Sequence, residues 1–361
     1  MLNIFRQIIR FRQKTGKTVF LLGPVGEAHG DVLKQKFFFP EAAFKRIKGA
    51  LGFLDAFTSS SVILYKGVSA PFALRVRGLS YNCSEINNPG EGWDWIYAAA
   101  AAGNHRVDRE RARENFERLR DRIAARDSSA IVYGTGPSLS SPHIPAPSDC
   151  IRIVCNTAGK DPNLWERLSP DVIVAGDGIY HFGPSRFAES FRRDLKLRLA
   201  ERPAFFAYPS AFDYIVQREF QSFRDLLIPL DIGNAASLTS LRETFTLPPV
   251  DNVLNLLLLP MACALSKRVK LWGFDGRAPG DKDFWKNSSA HFYSEHVDEL
   301  KALHPAFFSA KIPKGSENSY VKAVHGEVLE TLLSQAEGSG WEFEMLHPTY
   351  TETLLKRYRG E

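Results

Sequence analysis

A loop with two glycines and a serine follows one short apolar run, and its residue types suit contact with a ligand. Gly134-Thr135-Gly136-Pro137-Ser138 comes directly after Ala130 to Tyr133. Glycines let a backbone turn tightly and approach a bound molecule, and the N–H groups of such a loop attract an anion. The third glycine of the dinucleotide motif is missing, and no Gly-Lys-Ser/Thr follows as in a Walker loop. The loop is a candidate nucleotide site, with a plain strand-to-loop turn as the alternative.

Polar or glycine residues also end three further apolar runs, which cover residues 151–155, 172–175 and 269–272. In a parallel sheet such positions gather at the carboxyl ends of the strands, where ligands bind. We therefore expect them to contribute to the same nucleotide site. These residues are Asn156, Asp177, Gly273 and Asp275, together with Asn252 before an uncharged helical run.

Two histidines lie in the polar stretch that follows the run ending at residue 272, and either suits proton transfer. His291 and His296 are five positions apart, so they point in different directions on a helix. Histidine titrates near neutral pH and is a common general base. The alternative is that both are surface histidines.

The chain offers no convincing metal site. Asp281-Lys282-Asp283 has the spacing of a carboxylate pair, but it does not follow an apolar strand and reads as a solvated loop. Asp177 and His181 are four residues apart, yet Gly178 and Gly183 argue against a continuous helix that would hold both on one face. We expect no metal and no resident cofactor.

From residue 128 onward, short apolar runs alternate with helical patterns. This alternation predicts an α/β fold, with a Rossmann-like, mostly parallel sheet and helices on both faces. The expected strands begin at Ala130, Ile151, Val172, Ala204, Val269 and Trp341, and the expected helices cover residues 253–266 and 321–336.

The N-terminal 127 residues form a separate α/β region in this interpretation, with residues 128–361 as the nucleotide-binding domain. Residues 1–13 place most apolar side chains on one side of a helix and most basic ones on the other, which is typical of a helix that lies on an anionic membrane surface. A helix docked on its own domain is the alternative. We further expect a strand at Thr18–Leu22, a helix near residues 40–57, a strand at Val62–Tyr65 and a connecting helix over Val107–Arg126.

Composition and charge exclude several classes of protein. The net charge of +5 equals the five basic residues before residue 18, so the rest of the chain has no basic excess for nucleic-acid binding. Four cysteines without a C-x-x-C pair do not form a disulfide framework in 361 residues. No apolar run is long enough to span a bilayer, and the N terminus lacks the continuous apolar core of a secretory signal. A cytoplasmic protein, or one peripheral on the inner membrane through residues 1–17, fits best.

Taken in order, these segments resemble bacterial sialyltransferases and the related motility-accessory glycosyltransferases and MptE-like pterin diphosphokinases. The resemblance covers about residues 128–350. It rests on Gly134-Thr135-Gly136-Pro137-Ser138-Leu139, on Cys155-Asn156, on Asp177, on Leu271-Trp272-Gly273-Phe274-Asp275 and on Ser288-Ser289-Ala290-His291.

The resemblance implies an inverting, metal-independent glycosyltransferase that builds a cell-surface glycan such as lipopolysaccharide from a nucleotide-activated sugar, with CMP-linked sugars among the donors. His291 would deprotonate the glycan acceptor. The family's tyrosines after the Gly-Ile-Asp strand are absent here, and Arg277 would meet the phosphate instead. An MptE-like diphosphokinase that needs Mg²⁺, and a non-catalytic nucleotide-binding scaffold, are the alternatives.

Overall fold

The computed structural model describes residues 18–22, 43–58, 62–65, 80–82, 105–126, 129–183, 185–276, 292–303 and 322–360. Within these ranges the chain forms two sheets, one of four strands and one of eight. The expected helix over residues 1–13 lies outside the described residues. The same is true of Arg277, Asp281, Asp283 and His291.

The four-stranded sheet has the order β2-β1-β3-β4, and all its neighbouring strands are parallel. Its elements are β1 (Thr18–Leu22), β2 (Ala43–Arg46), α1 (Gly49–Thr58), β3 (Val62–Tyr65) and β4 (Ser80–Asn82). The expected helix near residues 40–57 is wrong in its first part, because residues 43–46 pair with β1 instead. Gly49, with a φ of +60°, is the first residue of α1, the helix that follows this strand.

The eight-stranded sheet has the order β10-β9-β8-β7-β6-β5-β11-β12, and every neighbouring pair is parallel. Its strands are β5 (Ser129–Tyr133), β6 (Ile151–Cys155), β7 (Val172–Val174), β8 (Phe205–Pro209), β9 (Leu227–Ile232), β10 (Thr246–Leu247), β11 (Arg268–Trp272) and β12 (Glu342–Met345). The central strands are buried on both faces, as parallel sheets require.

Helices cover both faces of this sheet. The described helices are α2 (Arg109–Ile123), α3 (Pro162–Leu168), α4 (Arg186–Glu201), α5 (Asp213–Glu219), α6 (Ser240–Thr244), α7 (Leu259–Leu265), α8 (Val297–Leu303), α9 (Leu329–Gly338) and α10 (Glu352–Leu355). Ile131 and Tyr133 of β5 face a core that contains residues of α3, α4 and α5. Ala130 and Val132 face a second core with residues of α2, α7 and α9. The predicted fold class is therefore confirmed.

Helix α2 packs on the eight-stranded sheet. Asp108 caps its N terminus by accepting the N–H of Arg111, and Phe116, Leu119 and Ile123 are buried in the second core. The predicted domain boundary after residue 127 therefore separates α2 from the sheet on which it packs. None of the described helices is both long and apolar enough to cross a membrane.

The strand order creates one topological switch point, between β5 and β11. From β5 the chain proceeds outward through β6 to β10, and it then returns to add β11 and β12 on the other side of β5. In open α/β sheets, ligands bind at the carboxyl edge of the sheet beside such a switch point. The loop after β5 and the loop after β11 meet at this point.

Candidate functional site

The two loops at the switch point are joined backbone to backbone. The N–H of Gly134 donates to the carbonyl of Trp272 at 2.8 Å, and the N–H of Gly136 donates to the carbonyl of Gly273 at 2.9 Å. A Cβ atom on Gly134 would lie 2.5 Å from the Gly273 carbonyl oxygen, and one on Gly136 would lie 2.6 Å from it. The glycines are therefore required because two loops approach each other closely, whereas the sequence had suggested close approach of a ligand.

Ser138 is held at all three of its polar groups. Its N–H and its hydroxyl both contact the carboxylate of Asp275, with 2.9 Å between Ser138 Oγ and Asp275 Oδ2. Its carbonyl accepts the indole N–H of Trp272 at 3.0 Å. Asp275 thus holds the loop after β5 in place.

The expectation that this loop presents several N–H groups to an anion is wrong. The N–H groups of Gly134, Gly136 and Ser138 have partners, and Pro137 has no N–H to offer. Thr135 differs: within the described part of the chain, neither its N–H nor its hydroxyl has a hydrogen-bond partner. Its exposure is intermediate. Thr135 is therefore the residue of this loop that can bind a ligand by hydrogen bonds.

Asn156 adds an amide at the end of β6, the strand next to β5. It has a left-handed backbone with a φ of +50°, which asparagine tolerates better than most residues. Its Oδ1 atom is buried and has no hydrogen-bond partner among the described residues. Unpaired buried polar groups and left-handed backbones are both enriched at functional sites. Asn156 can accept a hydrogen bond from a bound molecule.

Asp177, at the end of the neighbouring β7, stabilises a local turn. Its Oδ1 accepts the N–H groups of Ile179 at 2.7 Å and Tyr180 at 3.0 Å. Its own N–H donates to His181 Nδ1 at 3.2 Å. Burial lowers the pKa of His181 to about 3, so this ring is neutral and serves as a hydrogen-bond acceptor inside the turn. Among the described residues, no group of three or more His, Cys, Asp or Glu side chains could hold a metal.

Asn252 starts the helical segment that precedes β11. Its Oδ1 accepts the N–H of Leu254 at 2.8 Å, and its Nδ2 lies 2.9 Å from His325 Nε2. Its backbone is left-handed, with a φ of +77°. Both ends of this amide are therefore engaged by the protein.

The segment that follows His291 is attached to the loop after β6. The carbonyl of Phe292 accepts a hydrogen bond from Lys160 Nζ at 2.6 Å, and the hydroxyl of Tyr293 donates to Asp194 Oδ2 at 2.6 Å. Lys160 ends the 3₁₀ segment Asn156–Lys160, which begins with the asparagine described above. His296, in the same stretch, has a buried Nδ1 without a partner among the described residues.

His347 is a site residue that the sequence analysis missed. It follows β12 and lies 3.0 Å from the Gly273 N–H nitrogen and 3.1 Å from Ser138 Oγ, both measured from its Nε2. The available signal was its position directly after the last predicted strand, where the sheet's carboxyl edge continues. Its short motif, Leu-His-Pro-Thr, carries no known ligand pattern.

Comparisons with known proteins give a fold likeness only. No protein-family model matches the chain, and a search of curated proteins finds no significant match. Among solved structures, it is similar to two variants of the sialyltransferase CST-II in complex with CMP, at 15% identity, over 64% and 63% of this chain and 85% of theirs, with TM-scores of 0.34 and 0.35. It also matches a periplasmic heme-binding protein, BhuT, in complex with two hemes, at 12% identity, over 68% of this chain and 95% of that one, with a TM-score of 0.16.

Proposed function

We propose that this protein is an inverting glycosyltransferase whose donor is a nucleotide-activated sugar, with a CMP-linked sugar as the preferred class. One observation carries the proposal: at the carboxyl edge of the sheet, Thr135 after β5 and Asn156 after β6 offer hydrogen-bonding groups that the described residues leave unused. A nucleotide bound at this edge would satisfy them. In the reaction, an acceptor hydroxyl forms a bond to the anomeric carbon, the bond from that carbon to the phosphate oxygen breaks, and the nucleotide leaves with the electron pair.

The geometry of the loop favours a donor with a single phosphate. A diphosphate needs several N–H groups or cations, whereas three of the loop's N–H groups are engaged and one remains, that of Thr135. The carboxylate of Asp275 lies beside Ser138 and would repel a second phosphate. CMP-sugars carry one phosphate, unlike UDP-sugars, GDP-sugars and ATP. The same argument disfavours the MptE-like diphosphokinase.

The general base in this proposal is His291, and Arg277 neutralises the leaving phosphate. Both roles come from the family resemblance. The anchoring of the next residue, Phe292, to the loop after β6 supports a place for this segment near Asn156. His296 is the second candidate base, because its buried Nδ1 has no hydrogen-bond partner in the described ranges.

The nucleotide class can be tested by thermal unfolding with CMP, UDP, GDP and ATP, each with and without Mg²⁺. A ligand at 100 times its Kd stabilises the native state by about 2.7 kcal/mol. We expect CMP to stabilise the protein most, without Mg²⁺, and Asn156→Ala to abolish the shift. Asn163→Ala, at an exposed asparagine of α3, is the matched control. Stabilisation by ATP with Mg²⁺ alone would indicate the diphosphokinase, and no shift with any nucleotide would refute the proposal.

The catalytic base can be tested in a transfer assay with His291→Ala, His296→Ala and the exposed control His143→Ala. Loss of a general base lowers transfer by roughly 10² to 10⁴. We expect this loss for His291→Ala, with unchanged CMP binding, and disappearance of the ascending limb of kcat/KM near pH ~6.5. The same loss for His296→Ala alone would move the role to that residue. Nucleotide binding without any transfer would favour the non-catalytic scaffold.

We further propose that the acceptor is a cell-surface glycan in the course of synthesis on the cytoplasmic face of the inner membrane. The transfer itself would use no metal and no cofactor. The basic amphipathic pattern of residues 1–13 supports this location. Replacement of Arg6, Arg10 and Arg12 by Glu should release the protein from anionic vesicles at low salt, since each base near such a surface contributes about 1 kcal/mol. Equal vesicle binding by variant and parent would exclude a membrane contact through residues 1–13.

A further inference from the structure

The chain after β12 is hydrogen-bonded to the end of β11 and to the loop that follows β11. The N–H of Leu346 donates to the carbonyl of Leu271 at 3.0 Å, and the N–H of Tyr350 donates to the carbonyl of Asp275 at 2.8 Å. Between these two backbone bonds, the hydroxyl of Thr349 donates to the carbonyl of Phe274 at 2.5 Å. Residues 346–350 therefore form a strap over the turn that carries Asp275.

His347 is the member of this strap that reaches the loop after β5. Its Nδ1 lies 2.7 Å from the carbonyl oxygen of Pro348, which can only accept, so Nδ1 carries the hydrogen. The lone pair of Nε2 then faces the N–H of Gly273 at 3.0 Å and the hydroxyl of Ser138 at 3.1 Å. The hydroxyl hydrogen of Ser138 has Asp275 Oδ2 as its acceptor. The contact with Pro348 thus determines which tautomer the site contains.

The N–H of Gly273 needs this acceptor. Gly273 is buried and has a left-handed backbone with a φ of +83°. Its carbonyl accepts the N–H of Gly136. The peptide units on the two sides of Gly273 therefore link His347 to the loop after β5. The ring of Trp272 also meets the imidazole edge to face, with 4.7 Å between centroids.

We infer that His347 is a positioning residue of the nucleotide site: its neutral imidazole holds the N–H of Gly273, whose carbonyl holds Gly136, so that Thr135 presents its N–H and hydroxyl to the ligand. The inference rests on the proposed nucleotide-binding function. It assigns to the C-terminal strap a role in ligand affinity that no motif of the sequence indicates. The imidazole touches neither the donor nor the acceptor in this role.

Two substitutions separate the acceptor from the ring. His347→Phe keeps an aromatic ring against Trp272 but removes the lone pair that Gly273 uses. His347→Gln gives up the ring but supplies a carbonyl oxygen at a similar reach. We expect His347→Phe to weaken CMP binding about tenfold in calorimetry, and His347→Gln to stay within about threefold of the parent. A tenfold change corresponds to about 1.4 kcal/mol. His143→Phe, at an exposed histidine, is the matched control and should not change the Kd.

A second measurement needs no nucleotide. In protein labelled with ¹⁵N-glycine, hydrogen exchange of the Gly273 N–H should accelerate at least tenfold in His347→Phe and stay near the parental rate in His347→Gln. If the parent binds no nucleotide, the proposed function fails, while this exchange test still decides whether His347 holds Gly273. Parental exchange in His347→Phe would overturn the inference. Parental CMP affinity in His347→Phe with a loss in His347→Gln would also overturn it, because a merely structural role of the ring predicts that result. So would an equal loss in the two variants, because the carbonyl oxygen of Gln would then not replace the lone pair of Nε2.

Discussion

Gly136→Ala should destabilise the fold itself, even in the absence of a ligand. The new Cβ would lie 2.2 Å from Asp275 Oδ2 and 2.6 Å from the carbonyl oxygen of Gly273. The carboxylate cannot simply rotate away, because it holds the N–H and hydroxyl of Ser138, and the Gly273 carbonyl belongs to the backbone. Overpacking of this kind costs about 1–3 kcal/mol, and loss of a hydrogen bond to a charged group costs about 1.5–3 kcal/mol. We therefore expect a loss of about 3 kcal/mol.

Urea unfolding and thermal unfolding, both without nucleotide, measure this effect. For a domain of some 150–250 residues, about 3 kcal/mol corresponds to a fall in Tm of about 6–12 °C. Gly338→Ala is the matched control, because Gly338 ends α9 and a Cβ there would meet no atom within 4 Å. It should be neutral or slightly stabilising. Surface substitutions usually change the free energy of unfolding by less than about 0.5 kcal/mol. If Gly136→Ala changes it by no more than that, the two loops are not packed as described.

Three further predictions concern the core of the eight-stranded sheet. Because the pKa of buried His181 is lowered to about 3, its contribution to stability is complete above about pH 6.5 and is lost at about 1.4 kcal/mol per pH unit as the pH falls towards 3. Between pH 6.5 and 4.5, the unfolding free energy of the parent should fall by about 2.7 kcal/mol more than that of His181→Phe, which keeps a ring against Phe191. Equal pH dependence in variant and parent would contradict the burial of His181. Asp171→Asn removes the negative charge of a buried carboxylate that forms an ion pair with Arg126, 2.5 Å away. It should lower the free energy of unfolding in urea by about 2 kcal/mol, and a change below about 0.5 kcal/mol would show that the pair contributes nothing. Burial raises the pKa of the Cys155 thiol to about 12, so iodoacetamide at pH 8 should label Cys155 only after unfolding, and rapid labelling of the native protein would mean that the end of β6 is open to solvent.

The strands and helices of the eight-stranded sheet were predictable where the local pattern was strong. Apolar runs such as Ile151–Cys155 become buried strands because both faces of a parallel sheet exclude water. The charged helix α2 was evident from its buried positions at helical spacing. In contrast, β9 contains Pro229 and Asp231 and has no clear strand pattern, so its place beside β8 depends on tertiary pairing. The same applies to the short strand at residues 43–46, which exists because β1 supplies its partner.

The candidate site divides in the same way. The positions of Gly134, Gly136, Asn156 and Asp275 near strand ends were predictable from the sequence, because an apolar run stops directly or shortly before each of them. The roles of His291 and Arg277 remain predictions from resemblance.

Which of these groups can bind a ligand depends instead on tertiary contacts. The order of strands brings the loop after β5 against the loop after β11, and this contact uses the N–H groups of Gly134 and Gly136 and the carboxylate of Asp275 internally. The same contact leaves Thr135 without a hydrogen-bond partner among the described residues. A hydrogen-bonding group is available to a ligand only if no other part of the chain has satisfied it. The groups that satisfy one another in these two loops are more than 130 residues apart in sequence, as in the Ser138–Asp275 pair. Sequence spacing cannot reveal such pairs, because the register and order of parallel strands are set by how their helices pack, not by the residues of the loops themselves.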